Sequence, residues 1–310
     1  MQVKNTGLNH KSVDNKETKL HNKQYSNRTK EDFMEKLIIT AALTGGIHGK
    51  EANEALPEQP DEIIQSAVDC YNAGAAIVHV HARDTQGRGV ADSSIFGEIN
   101  EGIRSKCDVV IQNTTGGPEL PIDERISSLD AAPEMASLNM GSVVFFYQGK
   151  ELKFFNLRSE IEAFAKAMLE RNIKPEMEVY NPSMFMEVEN LIKKDLLAKP
   201  CYVNFVMGVG GMGGFPGTPE NLVVMKERLP GDAVFNVSGI GKYQLPMNTM
   251  SMLMGGHART GLEDNVFYNK GELAVSNAQM VERLVRIAGE LGREIATPDE
   301  ARKILAMKRT

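Results

Sequence analysis

From Lys36 onward the chain alternates short β-rich runs with stretches of helical character, and the runs number eight: KLIITAALT (36–44), AAIVHVHA (75–82), DVVIQNTT (108–115), MASLNMG (135–141), PEMEVYN (175–181), CYVNFVMG (201–208), DAVFNVSG (232–239) and MLMGGHART (252–260). Several are apolar almost without interruption, as parallel strands buried on both faces must be. Helical patterns lie between them at 60–73, 92–105, 157–172, 183–198, 218–228 and 276–292, and a short capped helix follows in ATPDEARKILAMK. Pro60, Asp61 and Glu62 suit a helix start, Gly74 and Gly292 suit helix ends, and Asp92 and Ser93 are candidate N-caps. Eight such units over roughly 270 residues are what a TIM-type (β/α)8 barrel requires, and that is the expected fold. A doubly wound open sheet is the alternative, weakened because no GxGxxG follows the first run.

Residues 1–33 differ in kind. They are rich in Asn, Lys and Ser and nearly free of apolar residues, so burial cannot offset the cost of ordering them. They lack the apolar core of a secretory signal and read as a disordered tail before a single catalytic domain over 34–310, with Met34 a candidate start codon. Residues 1–30 carry a charge of +5, which leaves −11 on the rest of a chain whose total is −6. An acidic body argues against nucleic acid as partner, and no apolar run is long enough to span a membrane. Cys70, Cys107 and Cys201 are far apart with no CxxC, which fits reduced thiols in a cytoplasmic protein.

Barrel active sites form at the C-terminal ends of the strands, and those ends are unusually polar here. Side chains two apart on a strand share a face, so His79 and His81 form a metal half-site on the second run. A catalytic zinc needs a third protein ligand. Glu263, just past the eighth run, is the first candidate, with His48 and His257 behind it. Asp264 is a candidate general base, and Arg259 could pair with it and hold it ionised. The glycine-rich 208–217 loop lacks the Lys-Ser/Thr of a P-loop; it fits either a phosphate-bearing cofactor such as coenzyme A or a plain turn. A zinc hydrolase of the amidohydrolase type is a rival reading. It would place the His-x-His on the first strand and need further strand-borne histidines, of which only His48 and His257 remain. A non-enzymatic ligand-binding barrel is a second rival, with no reason to hold stoichiometric zinc.

Taken together, IITAALTGG, AGAAIVHVHARD, IQNTTGG, PEMASLNMG, PEMEVYNPSM, FVMGVGGMGG and GGHARTGLEDNVFY resemble the β-keto acid cleavage enzymes, over Lys36 to Lys308. The resemblance implies zinc on His79, His81 and Glu263, with Asp264 as acid/base assisted by Arg259. It implies substrate contacts at Thr114, Gly117, Ser137, Asn139 and one of Glu176 and Glu178. It also implies a homo-oligomer, usually a tetramer, and acyl exchange with acetyl-CoA: a β-keto acid and acetyl-CoA give acetoacetate and a new acyl-CoA. One departure bears on the substrate. The 3-keto-5-aminohexanoate enzyme has an acidic residue after the Thr-Gly of the first strand, where it meets the substrate ammonium. Here the loop reads Thr44-Gly45-Gly46-Ile47-His48, so that position is the apolar Ile47 or the neighbouring His48. A buried ammonium needs a polar partner, so a neutral or less cationic β-keto acid is the expected substrate.

Overall fold

The strand runs are buried on both faces because one face meets the surrounding helices and the other fills a closed barrel. The computed structural model describes residues 35–117, 120–147 and 149–309; the expected tail at 1–33 lies outside them. The barrel strands are β1 (Ile39–Ala42), β2 (Ile77–Val80), β3 (Val110–Asn113), β4 (Met135–Asn139), β5 (Lys174–Val179), β6 (Tyr202–Met207), β7 (Val234–Gly239) and β8 (His257–Thr260). They pair in parallel in chain order, and β8 returns to β1, which closes a TIM (β/α)8 barrel.

The inward face changes character along the strands. At the lower end Ile77, Val110, Met135 and Tyr202 form an apolar cluster, plugged by Ala301 of the last helix (Pro298–Ile304) and by Leu305 just after it. Two positions on, on the same face, stand His79, Gln112, Ser137 and Asn204, all buried. Two further on, at the mouth, stand His81, Thr114, Asn139 and Val206. Apolar residues thus stabilise the base of the barrel, and its upper half is reserved for polar groups that must satisfy one another or a ligand.

Most helices match the expected spans. Gln59 and Glu62 cap the first (Pro60–Ala73), which ends at Gly74 in a left-handed conformation. Asp92, not Ser93, caps the next (Ser93–Arg104), its side chain accepting from the Ser94 amide. Two expectations need correction. The helix expected over 183–198 is a 3-10 turn (Pro182–Met184) and a shorter α-helix (Phe185–Lys193), stopped before the left-handed Asp195. The eighth run does not begin at Met252: Met252 and Leu253 end a helix spanning Gln244–Leu253, and Gly255 and Gly256 separate it from β8. Methionine and leucine serve strand and buried helix equally well, so the pattern alone did not separate them. A hairpin after β4, Val143–Tyr147 with Lys150–Phe154, was not foreseen and rises beside the mouth. No helix among the described residues is long and apolar enough to cross a membrane. The three cysteines are unpaired, with Cys70 and Cys201 buried.

Candidate active site

The His-x-His spacing does what strand geometry requires. His79 ends the inward face of β2 and His81 follows just past it, with ring centroids 5.1 Å apart. Glu263 reaches them from the loop after β8: its Oε1 lies 3.5 Å from His79 Nε2 and 3.4 Å from His81 Nε2. The three side chains offer ligand atoms all within 4.8 Å of one another, and they are the one such group among the described residues. His48 and His257 do not join them. His48 Nε2 lies 2.9 Å from the Leu262 carbonyl, and His257 Nδ1 accepts from the Ile38 amide at 3.0 Å.

Two glycines make this approach possible. A Cβ on Gly261, at φ +134°, would sit 2.1 Å from the Ala42 carbonyl oxygen, so the chain crosses β1 only without a side chain. A Cβ on Gly45, at φ +64°, would sit 2.7 Å from Cγ of Glu263.

Arg259 organises the carboxylates. Inward-facing on β8 and 4% exposed, it donates to both oxygens of Asp264 at 3.0 Å, to Glu263 Oε1 at 2.6 Å, and to Glu178 Oε1 at 3.4 Å. Asn139 Nδ2 donates to the other oxygen of Glu178 at 2.9 Å. Burial pushes Asp264 above the usual carboxylate range while Arg259 pulls it down. Burial also raises Glu178 to about 8 and lowers His79 to about 3, which holds that imidazole neutral as a metal ligand must be.

The strand register separates the two glutamates of β5. Glu178 is opposite Asn139 at the mouth and lines the cavity. Glu176 is opposite Ser137, does not line the cavity, and accepts from Gln112 and, at 2.9 Å, from Asn236. Thr114, Gly117 and Asn139 line the cavity. Ser137 does not; its oxygens bond the Thr115 amide and hydroxyl. The cavity measures about 680 Å³. Among the described residues, and apart from the histidines, its ionisable lining is Glu178, Arg259, Glu263, Asp264 and Tyr180, and most of the remaining wall is glycine or apolar, including Ile47, Leu120, Phe145, Phe154 and Phe267.

Other residues support the site without entering it. Arg83, buried after β2, donates to the Thr44 hydroxyl and to the carbonyls of Thr44, Gly45 and Gly87, which pins the loop carrying Ile47. Asn277 accepts from the Leu262 amide at 2.7 Å and fixes the approach to Glu263. The glycine-rich loop is engaged by the hairpin: Met212 and Val144 exchange backbone hydrogen bonds, and a Cβ on Gly211 would fall 2.4 Å from the Val144 carbonyl oxygen. The sequence signals were the polar run Gln112-Asn113 at the end of β3 and, in β7, the alternation of Asn236 and Ser238 with apolar residues.

A family model for the β-keto acid cleavage enzymes matches residues 36–307. A 3-keto-5-aminohexanoate cleavage enzyme of Fusobacterium nucleatum subsp. nucleatum is 43% identical, the match covering 89% of this chain and all of that protein. A 3-oxoadipate:acetyl-CoA acetyltransferase of Cupriavidus necator is 35% identical over 87% of this chain and 94% of its own length. Among solved structures, an apo structure of ObcA superposes with a TM-score of 0.71 at 20% identity, covering 82% of this chain and 66% of that one, a likeness of fold.

Proposed function

Because the chain belongs to the β-keto acid cleavage enzyme family, we propose that it exchanges acyl groups between a β-keto acid and acetyl-CoA at a zinc centre held by His79, His81 and Glu263, all within one catalytic domain over 34–310. The observation that carries this reading is the meeting of three ligand atoms within 4.8 Å beside an aspartate gripped by an arginine. The donors fit a divalent cation: two imidazoles and a carboxylate suit zinc, and Glu263 Oε2 is buried with no hydrogen-bond partner among the described residues. When bound, the ion supplies Lewis-acid stabilisation of negative charge developing on the substrate's oxygens.

The chain's own groups do the rest. Asp264, facing the cavity, takes a C2 proton from the β-keto acid, and Arg259 keeps it aimed and ionised. The enolate attacks the acetyl thioester and CoA leaves as a thiolate. That thiolate adds to the original keto carbon, the C2–C3 bond breaks, and acetoacetate leaves after taking the proton back from Asp264. Thr114 and Asn139, both on the cavity wall, are among the polar groups available to the substrate carboxylate and developing oxyanions. Glu178 braces Arg259 from the side opposite Asp264.

The substrate follows from the wall. Ile47 and His48, the two residues at which the resemblance implies an acid in the aminohexanoate enzymes, both line the cavity, and the lining carboxylates Glu178, Glu263 and Asp264 are each engaged by Arg259. Among the described lining residues a tail ammonium would find no uncommitted carboxylate, so the reading favours a neutral or less cationic β-keto acid. The zinc-hydrolase alternative loses its basis, since the His-x-His stands on the second barrel strand and the family match is to another chemistry. The test is a panel of β-keto acids with and without acetyl-CoA, following acetoacetate and acyl-CoA. Product without acetyl-CoA would overturn the exchange reaction, and preference for 3-keto-5-aminohexanoate would overturn the substrate assignment. Native mass tests the family's homo-oligomer, a tetramer by the same resemblance.

A further inference from the structure

Glu176 is a fully buried carboxyl that the proposed chemistry leaves unused. It ends a chain of hydrogen bonds that crosses the barrel interior below the mouth. His79 Nδ1 lies 2.7 Å from Gln112 Oε1, Gln112 Nε2 donates to Glu176 Oε2, and Asn236 Nδ2 donates to Glu176 Oε1 at 2.9 Å. Three barrel strands contribute beyond β2, and the register places Gln112 directly opposite His79.

We propose that Gln112 and Glu176 are positioning residues for the metal centre: Glu176 holds the Gln112 amide with its oxygen toward His79, and that oxygen keeps the His79 proton on Nδ1, leaving the Nε2 lone pair for the cation. The proposal rests on the reading of His79, His81 and Glu263 as metal ligands. A neutral imidazole carries one N–H and one lone pair, and whichever nitrogen meets an acceptor takes the proton. A Gln112 amide turned end for end would offer its NH2 to Nδ1 and drive the proton onto Nε2, the atom that faces Glu263. Glu176 prevents that turn, because its Oε2 accepts from the far side of the same amide. Glu176 itself is held by the Asn236 amide on its other oxygen, so the orientation is fixed along the whole chain. Outer partners of this kind typically change metal affinity by ~10–100-fold.

The test is zinc affinity of the full chain, measured by competition with a chromophoric chelator and without any substrate. Gln112→Met and Glu176→Met keep the length of the side chain and remove the acceptor. Each is expected to weaken zinc binding by ~10–100-fold, and the double variant is expected to bind no worse than Gln112→Met, since Glu176 acts through Gln112. Glu176→Gln retains an oxygen for the Gln112 amide and is expected to bind within a few-fold of wild type. The cobalt(II) absorption spectrum reads the same ligand set in the folded fraction, should a methionine variant be unstable. Wild-type affinity in either methionine variant overturns the proposal, and so do losses that multiply in the double variant. A wild-type chain that holds no stoichiometric zinc overturns the metal reading first, and this one with it.

Discussion

Arg259 holds Asp264 through two hydrogen bonds of 3.0 Å each, one to each carboxylate oxygen. The pair is buried, so the arginine charge acts on the aspartate with little water between them. A fork-to-fork pair fixes direction as well as charge, which is what a base needs if it is to meet one proton of a bound substrate. Asp264→Asn keeps the shape and removes the basicity. Its kcat should fall by ~10²–10⁴-fold, with zinc content unchanged. A variant that keeps most of its turnover would assign the proton to another group.

Glu263 carries the complementary expectation. It contributes the carboxylate near both imidazoles, and its Oε1 also accepts from Arg259. Glu263→Ala should lose zinc and activity together, measured by metal analysis after dialysis and by acyl-CoA formation. Stoichiometric zinc in that variant would remove Glu263 from the ligand set.

Much of this was legible in the sequence, and the residues show why the rest was not. Eight β-rich runs alternating with helical patterns point to a barrel, and His79 and His81, two apart on a strand, must share a face whatever surrounds them. Glu176 and Glu178 share a face by the same rule, so periodicity could not rank them. Their depth came from pairing: Asn139 opposite Glu178 at the mouth, Ser137 opposite Glu176 below. The Gln112 to Glu176 bond joins residues 64 apart in the chain, and the Asn236 to Glu176 bond joins residues 60 apart. Contacts of that span depend on barrel closure and leave no local pattern. Arg83 stands two residues past His81, but its role in pinning the Ile47 loop depends on a fold-back that spacing does not reveal.

Ile47 invites a gain of function. It lines the cavity and is 43% exposed, so a longer polar side chain has room. Ile47→Glu places a carboxylate on the cavity wall just past Thr44-Gly45. The ratio of kcat/KM for 3-keto-5-aminohexanoate over a neutral β-keto acid should rise by ~5-fold, the worth of one partly solvated ion pair of about 1 kcal/mol. An unchanged ratio would move the tail-binding wall elsewhere in the cavity.

His257 links the barrel to pH. It is buried on the inward face of β8, accepts the Ile38 amide on Nδ1 at 3.0 Å, and feels the charge of Arg293. Burial, with that charge, lowers its pKa from the ordinary 6.5 to about 3. The unfolded chain therefore binds a proton at this residue near pH 6.5, whereas the folded chain does so only near pH 3. The stability this residue contributes is complete above pH 6.5 and is lost progressively as pH falls toward 3, at no more than about 1.4 kcal/mol per pH unit. His257→Asn retains an acceptor for the Ile38 amide and cannot titrate. The free-energy gap between wild type and variant in urea unfolding should therefore shift in the variant's favour between pH 7 and pH 4.5. A gap that stays constant over that interval would mean that His257 takes up its proton in the folded barrel as readily as in the unfolded chain.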